Sequence, residues 1–201
     1  MVLEYNGRFN ITAITEKDEV YLKHFVDSVL FVDKINCGNL IDIGSGGGFP
    51  ALPIKILRED INVTLVEATG KKCEFLQAVV DNLNLSGVKV INARAEDLAK
   101  KEEYREKFDI CSARAVARLN TLCEYCMPFV RVGGRFLAFK GNAEEEVKEA
   151  QSAIKILGGK LKGVSNADLL GASRALVEIE KIEKTPPKYP RGNGKERKNP
   201  L

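Results

Sequence analysis

The segment Leu40-Ile-Asp-Ile-Gly-Ser-Gly-Gly-Gly-Phe-Pro50 constrains the fold of this chain more than any other. An apolar strand runs directly into a turn with four glycines in five residues, and a helix-like stretch follows. Such a turn needs positive φ angles and lets a ligand approach bare backbone; glycine permits both. The strand–turn–helix order predicts an α/β sheet with a nucleotide-like cofactor at the turn. In the dinucleotide fingerprint Gly-x-Gly-x-x-Gly the third glycine packs helix against strand. Counted from Gly44, the second glycine is Gly46 and the third position holds Phe49. No Gly-Lys-Ser/Thr follows the turn, which excludes a P-loop.

The pattern Gly44-x-Gly46-x-Gly48-Phe49, with Asp42 just before it, resembles instead the first motif of Rossmann-like methyltransferases that use S-adenosyl-L-methionine. That cofactor has no pyrophosphate, and the resemblance lays its methionine part along the turn. An acid is expected about 20 residues on, at the tip of the second strand, to accept hydrogen bonds from ribose hydroxyls. Val63-Thr-Leu-Val-Glu67 supplies Glu67. The bland alternative is a tight packing turn, with Glu67 as a solvated strand end.

A chain of 201 residues suits one domain, 1–201. It divides into an N-terminal helical segment (1–37), a Rossmann-like core (38–182) and a basic tail (183–201). No apolar run approaches the roughly 20 residues of a membrane span. Met1-Val-Leu-Glu-Tyr-Asn lacks the basic start and apolar stretch of a signal peptide, so a cytoplasmic chain with no membrane partner is expected. Five cysteines (Cys37, Cys73, Cys111, Cys123 and Cys126) argue against a disulfide framework. Cys123-x-x-Cys126 has no second pair at zinc spacing and lies far from the lone His24, so buried small hydrophobes on a helix over 119–130 are expected, and no metal. The net charge is +3, but 181–201 carries seven Lys/Arg and two Glu, leaving −2 for the other 180 residues. A basic tail on a near-neutral body reads as a phosphate contact or as a solvated, mobile end.

Strand and helix patterns alternate after residue 38. Strands are expected near 39–43, 62–67, 88–92, 108–112 and 134–140, and helices near 51–58, 70–83, 96–103, 115–129 and 143–157. Two further strands, 160–164 and 174–182, flank a polar loop. The predicted fold is a class I methyltransferase-like α/β architecture: a seven-stranded, mostly parallel sheet with an antiparallel C-terminal hairpin and helices on both faces. Segment 20–32 has helical apolar spacing and would pack on the sheet or roof the cofactor site; 193–200 reads as a loose end.

Several separated segments closely resemble the RsmG (GidB) family of bacterial ribosomal RNA methyltransferases. They are Asn10-Ile-Thr-Ala-Ile-Thr15, His24-Phe-Val-Asp-Ser28, the glycine turn through Pro50, Arg94-Ala-Glu96, Ala113-Arg-Ala-Val-Ala117, Tyr189-Pro-Arg191 and Lys198-Asn-Pro-Leu201. The resemblance spans nearly the whole chain. It implies methylation of N7 of a guanine in the 530-loop region of 16S ribosomal RNA, with the small ribosomal subunit as partner. It implies cofactor contacts from Gly44, Phe49, Ala95, Glu96 and Arg114, which join Gly46, Gly48 and Glu67 of the motif itself. Family members usually begin with another helical segment before Glu4-Tyr-Asn, and this chain starts almost there.

Guanine N7 carries a lone pair and no proton, so its attack on a sulfonium methyl needs alignment and no general base. Amino-group methylation of adenine commonly uses Asn/Asp-Pro-Pro-Tyr/Phe after the fourth strand, where this chain has Ser112-Ala-Arg-Ala115. Methylation at carbon 5 of cytosine needs a nucleophilic cysteine, and neither Cys111 nor Cys123 has an open, electropositive setting. Arg114, at a parallel strand's C-terminal end, is placed to hold a methionine carboxylate or an RNA phosphate, or else makes a surface salt bridge. Arg118, one helical turn on from Arg114, is its weaker, RNA-facing companion, and Lys140, before Gly141, ends the fifth strand and reads as a lining of the guanine pocket. With the family in view, Arg191, Lys195, Arg197 and Lys198 would contact phosphates, and Tyr189 and Phe49 would stack on a base. His24 reads as a packed or capping histidine. The alternatives are a methyltransferase of the same fold acting on another RNA base or a small molecule, and a non-catalytic RNA-binding module. Nothing calls for an obligate dimer, and a monomer is expected.

Overall fold

The computed structural model describes residues 1–7, 10–36 and 38–201, so Cys37 lies outside the described residues. Seven strands form one sheet: β1 (Asn39–Ile43), β2 (Asn62–Glu67), β3 (Val88–Asn92), β4 (Phe108–Arg114), β5 (Val130–Lys140), β6 (Gly159–Leu169) and β7 (Ala172–Lys181). Their order is β3-β2-β1-β4-β5-β7-β6. The first five pair in parallel, and β7 enters antiparallel between β5 and β6.

The apolar runs explain the central strands. In β1, Leu40 and Ile41 are both buried but join different cores, one on each face of the sheet. Leu40, Leu65, Leu137 and Phe139 meet the helices Ala51–Leu57 and Gly70–Asn82. Ile41, Ile43, Phe136 and Ala138 meet the helix Leu119–Cys126. Cys123 and Cys126 are fully buried on that helix, as expected of small hydrophobes, and burial pushes both thiols well above the usual cysteine range. Among the described residues no helix is long and apolar enough to cross a membrane.

Several boundaries differ from expectation. The helix expected over 143–157 is two, Glu144–Glu149 and Gln151–Ile156. That expected over 96–103 is only Ala95–Leu98. That expected over 115–129 begins at Leu119, because Ala115 takes a left-handed φ of 57° that no helix tolerates. Segment 20–32 passes from the turn Lys17–Val20 through a π-helical stretch, Tyr21–Val26, to Asp27–Val29.

The polar loop expected between the last two strands is itself strand. Leu169 pairs with Ala172, so only Leu170 and Gly171 turn the chain. Their φ values of 51° and 81° are those of a two-residue turn with both central residues left-handed. Leucine in that region costs about 1 kcal/mol, and Leu170 is 82% exposed, so packing returns little. Leu170→Asn is therefore expected to raise the thermal midpoint by about 1–4 °C. A scanning-calorimetry midpoint at or below that of the parent would contradict this.

The tail 189–201 is not a loose end. Tyr189 is buried in the core beside the helix Leu119–Cys126, which removes it as a base-stacking residue. The Arg105 guanidinium donates to the carbonyls of Tyr189 (2.9 Å) and Thr185 (3.0 Å). Arg191 donates through Nε (2.9 Å) and Nη2 (2.7 Å) to the buried Glu124 carboxylate. Beyond it, the short helix Lys195–Lys198 buries Glu196, whose carboxylate accepts the Gly192 N–H, and its backbone carbonyl accepts the Thr121 hydroxyl at 3.1 Å. These contacts are long-range and involve main-chain atoms, so composition alone read the segment as free.

Candidate active site

The C-terminal ends of β1, β2, β3 and β4 open into a cavity of about 550 Å³. Its floor is the glycine turn. Gly44, Gly46 and Gly48 have φ of 70°, 54° and 87°. Their reasons for being glycine differ. A Cβ on Gly44 would lie 2.6 Å from Val116 Cγ2, and one on Gly48 would lie 2.4 Å from Leu52 Cδ1. Gly48 thus packs turn against helix and is not among the cavity-lining residues. A Cβ on Gly46 would meet only the Gly44 carbonyl, at 3.8 Å, so at that position the φ is the constraint and the backbone is bare toward the cavity.

Glu67 ends β2 and locks the turn. Its Oε2 accepts the Gly46 N–H at 3.0 Å and its Oε1 accepts the Thr69 N–H at 2.8 Å. Each carboxylate oxygen keeps a further lone pair for a donor in the cavity. Glu67 is not a solvated strand end; it is 8% exposed. Ala95 and Glu96 open the helix Ala95–Leu98 on the far wall, where the first N–H groups have no intrahelical acceptor.

Arg114, at the end of β4, lines the cavity with Phe49. It is not at the surface: its Nη1 donates to Asp27 Oδ2 at 2.7 Å and its Nη2 to His24 Nδ1 at 3.2 Å. Since an arginine only donates, His24 Nδ1 accepts, and its Nε2–H points to Thr12 Oγ1 at 2.7 Å. Burial and the Arg114 charge hold the His24 pKa below its usual value, which keeps the ring neutral. His24 stacks on Phe49 with centroids 4.8 Å apart, so a protein ring already occupies one face of Phe49. His24 is a packed histidine, as expected.

Below the turn lies Asp42, 1% exposed. The Ser112 hydroxyl donates to its Oδ1 at 2.6 Å, while Oδ2 is buried without a partner among the described residues. Burial pushes its pKa up to about 6, against the pull of Ser112 and Arg114. The folded pKa lies above the unfolded value of 3.8, so the folded state favours the protonated acid and stability falls as pH rises from about 4 to about 6. Asp42→Asn removes that titration. Its stability relative to the parent is expected to improve by about 2–3 kcal/mol between pH 4 and pH 7. Urea unfolding at the two pH values measures this, and a pH-independent difference would contradict it.

Of the basic residues expected to face RNA, only Arg197 reaches the cavity, where it forms a wall with Gly194 and Tyr125. Lys195 and Lys198 are exposed on the same turn of helix. The others have protein carboxylates as partners. Lys140 Nζ lies 2.7 Å from Glu146 and donates to the Ala117 carbonyl at 2.7 Å. Arg118 pairs with Glu149 on the outer surface, and Arg191 with Glu124. The sequence reading missed Asp27, Arg174 and Tyr125. Asp27 carried a signal, since it follows His24 by three residues on an amphipathic segment.

Comparison with known proteins shows which family the sequence matches. The GidB family model, described as rRNA small subunit methyltransferase G, matches residues 1–177. The ribosomal RNA small subunit methyltransferase G of Lactobacillus delbrueckii subsp. bulgaricus is 47% identical over 208 residues, covering 100% of this chain and 87% of that protein. Its counterpart in Acetivibrio thermocellus is 45% identical, covering 98% and 84%. Among solved structures, the YcgJ protein of Bacillus subtilis superposes with a TM-score of 0.61 at 15% identity, over 80% of this chain and 100% of that one. M. jannaschii TYW2 in complex with AdoMet gives 0.61 at 14% identity, over 78% and 77%. The structural likenesses establish the Rossmann-like methyltransferase fold, which this chain builds as a seven-stranded sheet.

Proposed function

We propose, on the premise that this chain belongs to the GidB family of small-subunit ribosomal RNA methyltransferases, that it moves a methyl group from S-adenosyl-L-methionine to N7 of a guanine in the 530-loop region of 16S ribosomal RNA. The observation that carries the cofactor reading is the coupling of Gly46 to Glu67: a bare-backbone turn held by a carboxylate that keeps lone pairs for ribose hydroxyls. The cavity volume of about 550 Å³ is that of a small-molecule site. The donor set fits as well. Gly44 and Gly46 would carry the methionine portion, Glu67 the ribose, and Ala95 and Glu96 the adenine edge. Gly48 would support the turn from behind, and Arg114 would face the methionine carboxylate or the incoming RNA.

When bound, S-adenosyl-L-methionine supplies an electrophilic methyl group on a positively charged sulfur. The chain's own part is alignment. The N7 acceptor has no proton to lose, and the histidine at the cavity, His24, has both ring nitrogens engaged by Thr12 and Arg114. Lys195, Arg197 and Lys198, grouped on one turn beside the cavity, are placed to meet phosphates of the same RNA.

The test is transfer of a labelled methyl group to small subunits that lack the modification, followed by mapping of the labelled base. Label on a guanine, at N7, is expected. Label on adenine or cytosine would sink the target assignment, and calorimetric binding of NAD in place of S-adenosyl-L-methionine would sink the cofactor.

A further inference from the structure

A second recess, of about 370 Å³, adjoins the cofactor cavity and shares His24, Arg114 and Ala115 with it. Its wall is mostly apolar, with Ile14, Phe31 and Phe139, and its rim is cationic. The sheet topology makes that rim. Because β7 runs antiparallel to β5, its first residues lie beside the C-terminal end of β5, where Ala175 pairs with Lys140. Arg174, one residue earlier, therefore stands at the same edge as Arg114.

Asp27 joins the two arginines. Its Oδ2 accepts Arg114 Nη1 at 2.7 Å, and its Oδ1 accepts Arg174 Nε. Asp27 is 8% exposed, so both pairings are partly desolvated. One carboxylate between two guanidinium groups leaves the trio with a net charge of +1. Arg174 Nη1 donates to the Ser173 carbonyl at 2.9 Å, and Nη2 has no hydrogen-bond partner among the described residues. The side chain is thus oriented from one edge and unsatisfied at the other, and it is 23% exposed. Lys23 adds a further positive charge to the recess.

We propose that this recess is the acceptor subsite: it takes one RNA nucleotide, with the base against the apolar wall and a backbone phosphate on Arg174. Resting on the methyl-transfer reading above, the assignment adds a phosphate-binding residue and an entry side. A purine needs an apolar wall next to the cofactor, and its phosphate needs a fork of N–H donors that is oriented and keeps net positive charge. The recess supplies both, and its position past Arg114 puts the base beside the methyl donor. Lys140, tied to Glu146 at the same recess, contributes position more than charge.

The test compares Arg174→Gln and Arg174→Lys with the parent, using unmodified small-subunit RNA as the probe. For Arg174→Gln the slope of log affinity against log salt is expected to fall by about one phosphate contact, roughly 0.7–0.9, with affinity down about 5- to 10-fold and KM for the subunit raised. Calorimetric affinity for S-adenosyl-L-methionine should stay within about twofold of the parent, because Asp27 still holds Arg114. Arg174→Lys should keep the salt slope. Parent-like slope and KM in Arg174→Gln, or a slope lost equally in Arg174→Lys, would overturn the proposal. Should Arg174→Gln fail to fold, Arg174→Met takes its place, with the same loss of slope expected and a parent-like slope overturning the proposal. Failure of the underlying function would show differently, as absence of methyl transfer by the unsubstituted protein, and would remove the acceptor subsite with it.

Discussion

Glu67→Ala is expected to weaken S-adenosyl-L-methionine binding by at least about 100-fold. The carboxylate accepts two backbone N–H groups, from Gly46 and Thr69. Hydrogen bonds to a charged acceptor contribute about 1.5–3 kcal/mol each, and their loss leaves two donors unpaired at the lip of the cavity. The turn would lose the tie that holds Gly46 in its left-handed conformation, and the ribose would lose its acceptor. A 100-fold loss is about 2.7 kcal/mol, the size of one or two hydrogen bonds from ribose hydroxyls to a charged acceptor. Glu67→Gln keeps one acceptor oxygen and should lie between, near 10-fold. Titration calorimetry measures both. Parent-like affinity in Glu67→Ala would mean that the turn is held by something other than this carboxylate.

The second large effect concerns stability. Arg191→Ala should destabilise the folded protein by about 3 kcal/mol, with no RNA present. Glu124 is 1% exposed and receives the Arg191 backbone N–H at 2.8 Å as well as two guanidinium nitrogens. Removing the guanidinium leaves a buried carboxylate with one donor. Arg191 itself is 24% exposed, which places the loss at the low end of the 3–5 kcal/mol usual for breaking such a pair. The thermal midpoint should drop by about 6–12 °C. Adding Glu124→Gln should restore a good part of it, because the uncompensated charge is then gone. If the midpoint held and only RNA affinity fell, Arg191 would be a phosphate contact after all.

That contrast shows what was legible in the sequence. The central strands were, because Leu40–Ile43 and Val63–Val66 put apolar residues on both faces between turn signals, as a strand covered on both sides does. The glycine turn and Glu67 were, because their spacing is local and backbone-driven. The longer reach of β6 was not: its residues alternate between exposed and half-buried along a sheet edge, so lysines and small polar residues there read as loop. Nor were the pairings of Arg191 with Glu124, 67 residues away, and of Arg114 with Asp27, 87 residues away. A basic residue reads the same whether its carboxylate comes from RNA or from a distant helix. Only the fold says which, and here Arg118, Lys140 and Arg191 each have a protein carboxylate as partner.

The docked tail also bears on how the protein is born. Synthesis proceeds from the N-terminus, and the sheet can form while later residues are still inside the translating ribosome. The wall made by Gly194 and Arg197 is among the last parts of the described chain to emerge. Until it does, Glu124 has no counterion and the cavity stays open on one side. A copy whose tail is undocked is thus a finished sheet around an unfinished pocket, so that docking of residues 191–198 and completion of the cavity wall are one event.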